Sequence, residues 1–99
     1  MLENKKFRIR PKAEKDLENI YEYSYQEFGS ARADQYIRDL DATFHMLADD
    51  PSLGSDYSHV RPDLMAYRVV SHVVFFKPSV FGVTILRVLH KSMDYGRHL

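Results

Sequence analysis

Residues 11–50 read PKAEKDLENIYEYSYQEFGSARADQYIRDLDATFHMLADD, and two helical periodicities meet within them at Gly29-Ser30. Ala13, Leu17, Ile20, Tyr21, Ser24 and Phe28 follow at steps of three and four, the spacing of one apolar helix face. Pro11 suits a first helical position, where its missing N–H costs nothing. Gly29 supplies the left-handed residue that ends such a helix. Ser30 is expected to cap a second helix, with a buried stripe of Ala33, Tyr36, Ile37, Leu40, Phe44, Leu47 and Ala48. Pro51 disfavours helical backbone at Asp50 and stops it. A joint this short makes the two helices an antiparallel hairpin.

Outward from the hairpin the period changes to two. Phe7-Arg8-Ile9-Arg10 alternates apolar and basic residues, as a short half-buried strand does. Residues 51–63, with Gly54 and two prolines, read as a loop. Three β-rich runs follow at residues 64–70, 72–77 and 83–90, joined at Ser71 and across residues 78–82 as an antiparallel meander. The second and third runs are apolar on both faces, which places them mid-sheet. The expected fold is α+β, in the order β-α-α-β-β-β, a helical hairpin packed on a small antiparallel sheet. The N-terminal strand is expected to pair with one of the later strands.

The chain has 99 residues and a mass of 11.6 kDa, enough for one domain over residues 1–99. Its 44% hydrophobic and 28% charged residues are a globular composition and argue against disorder along the whole length. Fourteen Lys and Arg balance fourteen Asp and Glu, which argues against a protein that coats nucleic acid by bulk charge. The balance is uneven along the chain. Residues 30–56 are acidic, and residues 57–99 are basic. Cysteine is absent, so disulfides, thiolate nucleophiles and Cys-ligated zinc are excluded. Met1 to Lys6 lacks the apolar run of a secretory leader, and no stretch has the length to span a membrane. A cytoplasmic location is the expectation.

Chemical signatures are sparse. The four glycines stand alone, so no phosphate loop is expected. The five histidines lack ligand spacing, and no metal or cofactor is expected. The carboxylates read as solvated helix faces. Tyr21 and Tyr36 fit core stripes, whereas Tyr23 and Tyr25 lie off them and are candidate exposed contacts. The remaining feature is the chain end from Arg87 to Leu99, rich in Arg, Lys and His with only Asp94 acidic. It reads either as a last strand with a frayed polar tail or as a basic epitope at the sheet edge.

Several patterns occur together in one order: Ala13-x-x-Asp16-Leu17-x-x-Ile20, Phe28-Gly29, Tyr36-x-x-x-Leu40, Leu47-Ala48-x-x-Pro51-x-x-Gly54, His72-Val73-Val74-Phe75-Phe76, and Ile85-Leu86-Arg87-Val88-Leu89-His90-x-x-Met93-Asp94. Together they resemble the ParE toxins of the RelE/ParE superfamily, the toxic halves of bacterial type II toxin–antitoxin modules. The resemblance covers nearly the whole chain and carries the same β-α-α-β-β-β order. It implies a cytoplasmic inhibitor of DNA gyrase that is not an enzyme, touches nucleic acid only through gyrase, and is neutralised by a ParD-like antitoxin.

Two surfaces follow as expectations. Arg87, His90, Met93, Asp94 and Arg97 are the candidate target-binding set, with Val88 anchored in the core and Asp94 bracing a basic neighbour. Truncation after Lys91 is expected to spare the fold, because the core stripes lie upstream. Leu53, Val60, Arg61, Leu64, Met65, Arg68 and Val69 are the candidate antitoxin-binding set. The alternatives are a RelE-type ribosome-dependent mRNA endonuclease and an inactive member of the superfamily. An endonuclease would draw on Arg68, His90 and Lys91. Against it, Val73 and Ser92 stand near positions where RelE proteins carry basic residues, and Phe76 replaces a tyrosine found in many relatives.

Overall fold

A computed structural model describes residues 6–99. The reading of residues 1–5 as a start without a leader lies outside them. The order is β1 (Lys6–Ile9), α1 (Pro11–Phe28), α2 (Ser30–Asp49), a 3-10 turn (Pro51–Leu53), β2 (Ser55–Asp56), β3 (Met65–Val69), β4 (His72–Ser79), β5 (Gly82–His90) and α3 (Tyr95–His98). The strands form one sheet in the order β1-β5-β4-β3-β2. The meander is antiparallel as expected, but β1 runs parallel to β5, so the sheet is mixed. Helices lie between β1 and the meander, and a crossover of that length permits parallel pairing.

The hairpin forms where the periodicities meet, with two local differences. Gly29 has φ 85° and ψ 174°, a positive-φ but extended conformation, and it is both the end of α1 and the N-cap of α2. Ser30 is therefore the first helical residue of α2 and not its cap. Two residues of the α1 stripe lie at the surface: Tyr21 and Phe28 are exposed, although Ser24 between them is buried. Tyr21 instead donates its hydroxyl hydrogen to Asp34 at 2.9 Å, tying the two helices together from outside.

The sheet is covered on both faces. Strand alternation sends Val74 and Phe76 toward the helices, into a core with Ile20, Leu40, Phe44, Leu47, Ile85 and Val88. It sends Val73 and Phe75 the other way, into a second cluster with Leu64, Ala66 and Leu89. No helix of the hairpin covers that second face. Tyr57 from the loop covers it, as do Tyr95 and Leu99 from the tail. The Tyr95 ring stands edge-on to Phe75 with centroids 5.0 Å apart. The tail is thus neither frayed nor projecting, and the expectation that core residues end upstream of it is overturned. Truncation after Lys91 removes Tyr95 and Leu99 and uncovers Phe75 and Leu89.

Nor is β5 an edge strand, since it lies between β1 and β4. A register shift between Phe75 and Phe76 pairs them with Arg87 and Ile85, leaving Leu86 as the extra residue of a bulge. Just there β1 has ended: the Arg10 N–H to the Ile85 carbonyl, 3.0 Å, is the last backbone bond of that edge. Asp16 of α1 takes over. Its Oδ2 accepts the Val88 N–H at 3.0 Å and Arg87 Nε at 2.8 Å, and its Oδ1 accepts Arg87 Nη2 at 2.8 Å. Arg87 therefore points at α1 and does not project from the sheet. Pro78 sits in β4 beyond the last β3 partner at Phe76, where its absent N–H leaves no neighbour unpaired.

The Asp16 and Arg87 side chains keep only 12% and 18% of their surface exposed. Removing one partner of such a pair leaves a desolvated charge and costs about 3 kcal/mol. Asp16→Asn is expected to lower the unfolding free energy by about that amount in urea titration. Arg87→Ala added to it is expected to cost much less than its effect alone.

Candidate functional site

A groove of about 780 Å³ opens between the helical hairpin and the β3–β4 turn. Ile20, Ser24 and Tyr36 come from the helices, and His72, Val88 and His90 come from the sheet. The α1 stripe runs on to Phe28, at the hairpin tip, which lines the groove without being covered by the sheet. Phe28 is 57% exposed, and Arg32 lies over its ring at 5.5 Å. Val70, 71% exposed, and Met93, 44% exposed, complete an apolar rim. Val70 has φ 49°, a conformation that a β-branched residue adopts only under strain.

A polar relay lies at the base. The Tyr36 hydroxyl is 3.0 Å from the Val69 carbonyl and 2.7 Å from His72 Nδ1. A carbonyl only accepts, so Tyr36 donates to Val69 and His72 donates from a protonated Nδ1 to Tyr36. Beside it, His90 has the opposite tautomer, because its Nδ1 accepts the Ser92 N–H at 3.1 Å. The two rings meet edge-to-face at 5.3 Å across paired strands. Burial, then the neighbouring His90, lowers the His72 pKa to about 4, with Asp16 opposing. Burial also raises the Tyr36 pKa. Both groups are neutral at pH 7, so Tyr36 and His72 offer hydrogen bonds and no charge, and the charged side chains of the lining are Asp16, Arg32 and Asp39.

The sequence-derived target set divides. His90 and Met93 line the groove. Arg87 is turned into the Asp16 pair, and its Nη1 donates to the His98 carbonyl at 2.7 Å. Arg97 is exposed on α3. Asp94 forms no ion pair among the described residues, contrary to its expected bracing role, and instead its carbonyl accepts the Arg97 N–H. Val88 is buried as expected.

The antitoxin set divides too. Leu53 and Val60 are exposed, and so is Arg68. Leu64 and Val69 are buried in opposite clusters and offer no surface, because each is needed to fill its own side of the sheet. Met65 is half-buried against the helical core, and Arg61 donates to the main-chain oxygen of Leu99.

Arg68, His90 and Lys91 do not assemble. Arg68 pairs with Val73, which faces the second cluster, whereas His90 pairs with His72 on the helical face. The sheet itself separates them. Tyr23, read as a contact residue, is exposed and lines the groove. Phe28, Val70 and His72 were not legible as site residues. The only local signal was Phe28, an apolar residue at the very end of a stripe.

Over residues 7–95 the sequence matches the family described as ParE toxin of type II toxin-antitoxin system, parDE. It is 39% identical over 95 residues to Toxin ParE1 of Caulobacter vibrioides, covering 96% of this chain and 98% of that one. It is 30% identical over 95 residues to Toxin ParE1 of Mycobacterium tuberculosis, covering 95% and 97%. Among solved structures, a chain of the chromosomal ParDE TA system from P. aeruginosa superposes with a TM-score of 0.74 at 18% identity, over 88% of this chain and 96% of that one.

The lowered His72 pKa has a consequence for stability. The unfolded chain protonates this ring at its ordinary value of 6.5, the folded chain only near 4. Unfolding therefore takes up a proton between those values, and the contribution of neutral His72 is full above pH 6.5 and lost as pH falls toward 4. Thermal unfolding is expected to drop across that window, and to drop less in His72→Gln, as scanning calorimetry at stepped pH measures.

Proposed function

This chain belongs to the ParE toxin family of type II toxin–antitoxin systems, and on that footing we propose that it inhibits DNA gyrase by binding and is neutralised by a ParD-like antitoxin seated in the groove. The observation that carries the antitoxin part is the apolar rim of Phe28, Val70 and Met93 around the neutral, hydrogen-bonding Tyr36 and His72. Apolar side chains left exposed around a long concavity suit an amphipathic helix laid into it. Leu53, Val60 and Arg68, exposed beyond the groove, are the part of the sequence-derived antitoxin surface that stays available to the rest of that partner.

The gyrase part rests on the family and on the character of the second half of the chain. That half is basic, and its exposed members include Lys91 and Arg97. Complementary charge of this kind steers association with an acidic or DNA-bound partner. No bond-making step is assigned, because the residues nearest to an endonuclease set lie on opposite faces of the sheet. Acting on gyrase places the protein in the cytoplasm, where no cofactor or metal enters its action. Among the described residues no helix is long and apolar enough to cross a membrane.

Induced expression without antitoxin tests the reading. Relaxed plasmid DNA with intact mRNA is the expected result, and intact supercoiling with cleaved mRNA would replace gyrase by the ribosome. For the groove, Phe28→Ala and Met93→Ala are each expected to weaken antitoxin binding by about 1–2 kcal/mol in calorimetric titration. Lys15→Ala, on the outer face of α1, is expected to change it little.

A further inference from the structure

A second cavity, of about 390 Å³, opens where α1 begins and the tail returns. It is lined by Arg10, Lys12, Arg61, Arg87 and His98 over Leu86, with the Leu99 main chain beside them and no Asp or Glu side chain in its lining. Two of these cations are engaged. Arg87 holds Asp16 and the His98 carbonyl, and Arg61 holds the main-chain oxygen of Leu99. Arg10 and Lys12 form no ion pair among the described residues. Even with the Leu99 oxygen counted as a full negative charge, the cavity keeps a positive surplus. No side chain caps the first turn of α1, which opens beside it.

Cations crowded round one small volume repel each other, and an anion placed among them removes that cost. The shape of the set selects the anion. A planar carboxylate is met by one guanidinium fork, whereas a tetrahedral group with three or four oxygens engages donors from several directions. We propose that this cavity is a phosphate-binding site, with Arg10, Lys12 and Arg61 as the charged donors and the His98 ring as a further donor. The site lies apart from the groove and does not depend on the antitoxin or gyrase assignments. Free phosphate and the phosphodiester backbone of a nucleic acid share this chemistry.

The test is a nuclear magnetic resonance titration of the full chain in low chloride at neutral pH, with inorganic phosphate, a short oligothymidylate and a short oligoglutamate in separate arms. Saturable shifts at Arg10, Lys12, Arg61 and His98 with phosphate or oligothymidylate are expected. R10A/K12A, both positions being exposed, is expected to keep the native circular dichroism and weaken binding by about tenfold or more. K15A/R38A removes the same charge elsewhere and is expected to bind as the unaltered chain does. Tighter binding of oligothymidylate, with a steep salt dependence, identifies a nucleic-acid backbone as the source. Comparable affinity for inorganic phosphate identifies the free ion. Absence of saturable shifts, an equal loss in K15A/R38A, or oligoglutamate binding as tight as the phosphate ligands would overturn the proposal.

Discussion

The fold turns on one carboxylate. Beyond Ile85 the outer edge of β5 has no neighbouring strand, because β1 has ended and Pro11 has no N–H to offer. An edge left open there would carry unpaired backbone groups beside a packed core, which costs free energy. Asp16 resolves this from the second turn of α1. It stands in for a strand at Val88 and neutralises Arg87 at the same time. These three hydrogen bonds fix how α1 lies on the sheet. They therefore set one wall of the groove, which Asp16 itself lines together with Ile20 and Ser24 of α1.

The bulge at Leu86 is the other half of the same device. By adding a residue it turns Leu86 toward the second face and lets Arg87 reach both α1 and the returning tail. Tyr95 and Leu99 are then held over Phe75 and Leu89, and the second face is closed by loop and tail instead of by a third layer of helix. The basic cavity is a by-product of this closure, since it collects the start of α1, the bulge and the tail in one corner.

Much of the architecture was legible because it is local. Period-3.6 and period-2 patterns located the hairpin and the meander within a few residues, and the apolar character of residues 72–77 and 83–90 placed both strands mid-sheet. What escaped was set by partners distant in sequence. The parallel alignment of β1 is fixed by β5, and the two-residue β2 has no pattern to read. Asp16 was grouped with solvated carboxylates although it lies on the apolar stripe, three residues after Ala13 and four before Ile20. That position was the available signal. The candidate site was less legible than the fold. Its rim comes from a helix end, a strained turn and the tail, and residue types alone do not bring these together.

The sequence separations carry a consequence for synthesis. Asp16 and Arg87 are 71 residues apart, and the first strand pairs with the last. Contacts this distant form late, because the loop they close must be ordered before they repay it. A chain emerging from the ribosome can make its helical hairpin early, yet it has no finished sheet, no groove and no second face until β5 and the tail have left the exit tunnel. The groove and the covered second face thus come into being only once β5 and the tail have been made, and a chain interrupted before them carries the hairpin without either.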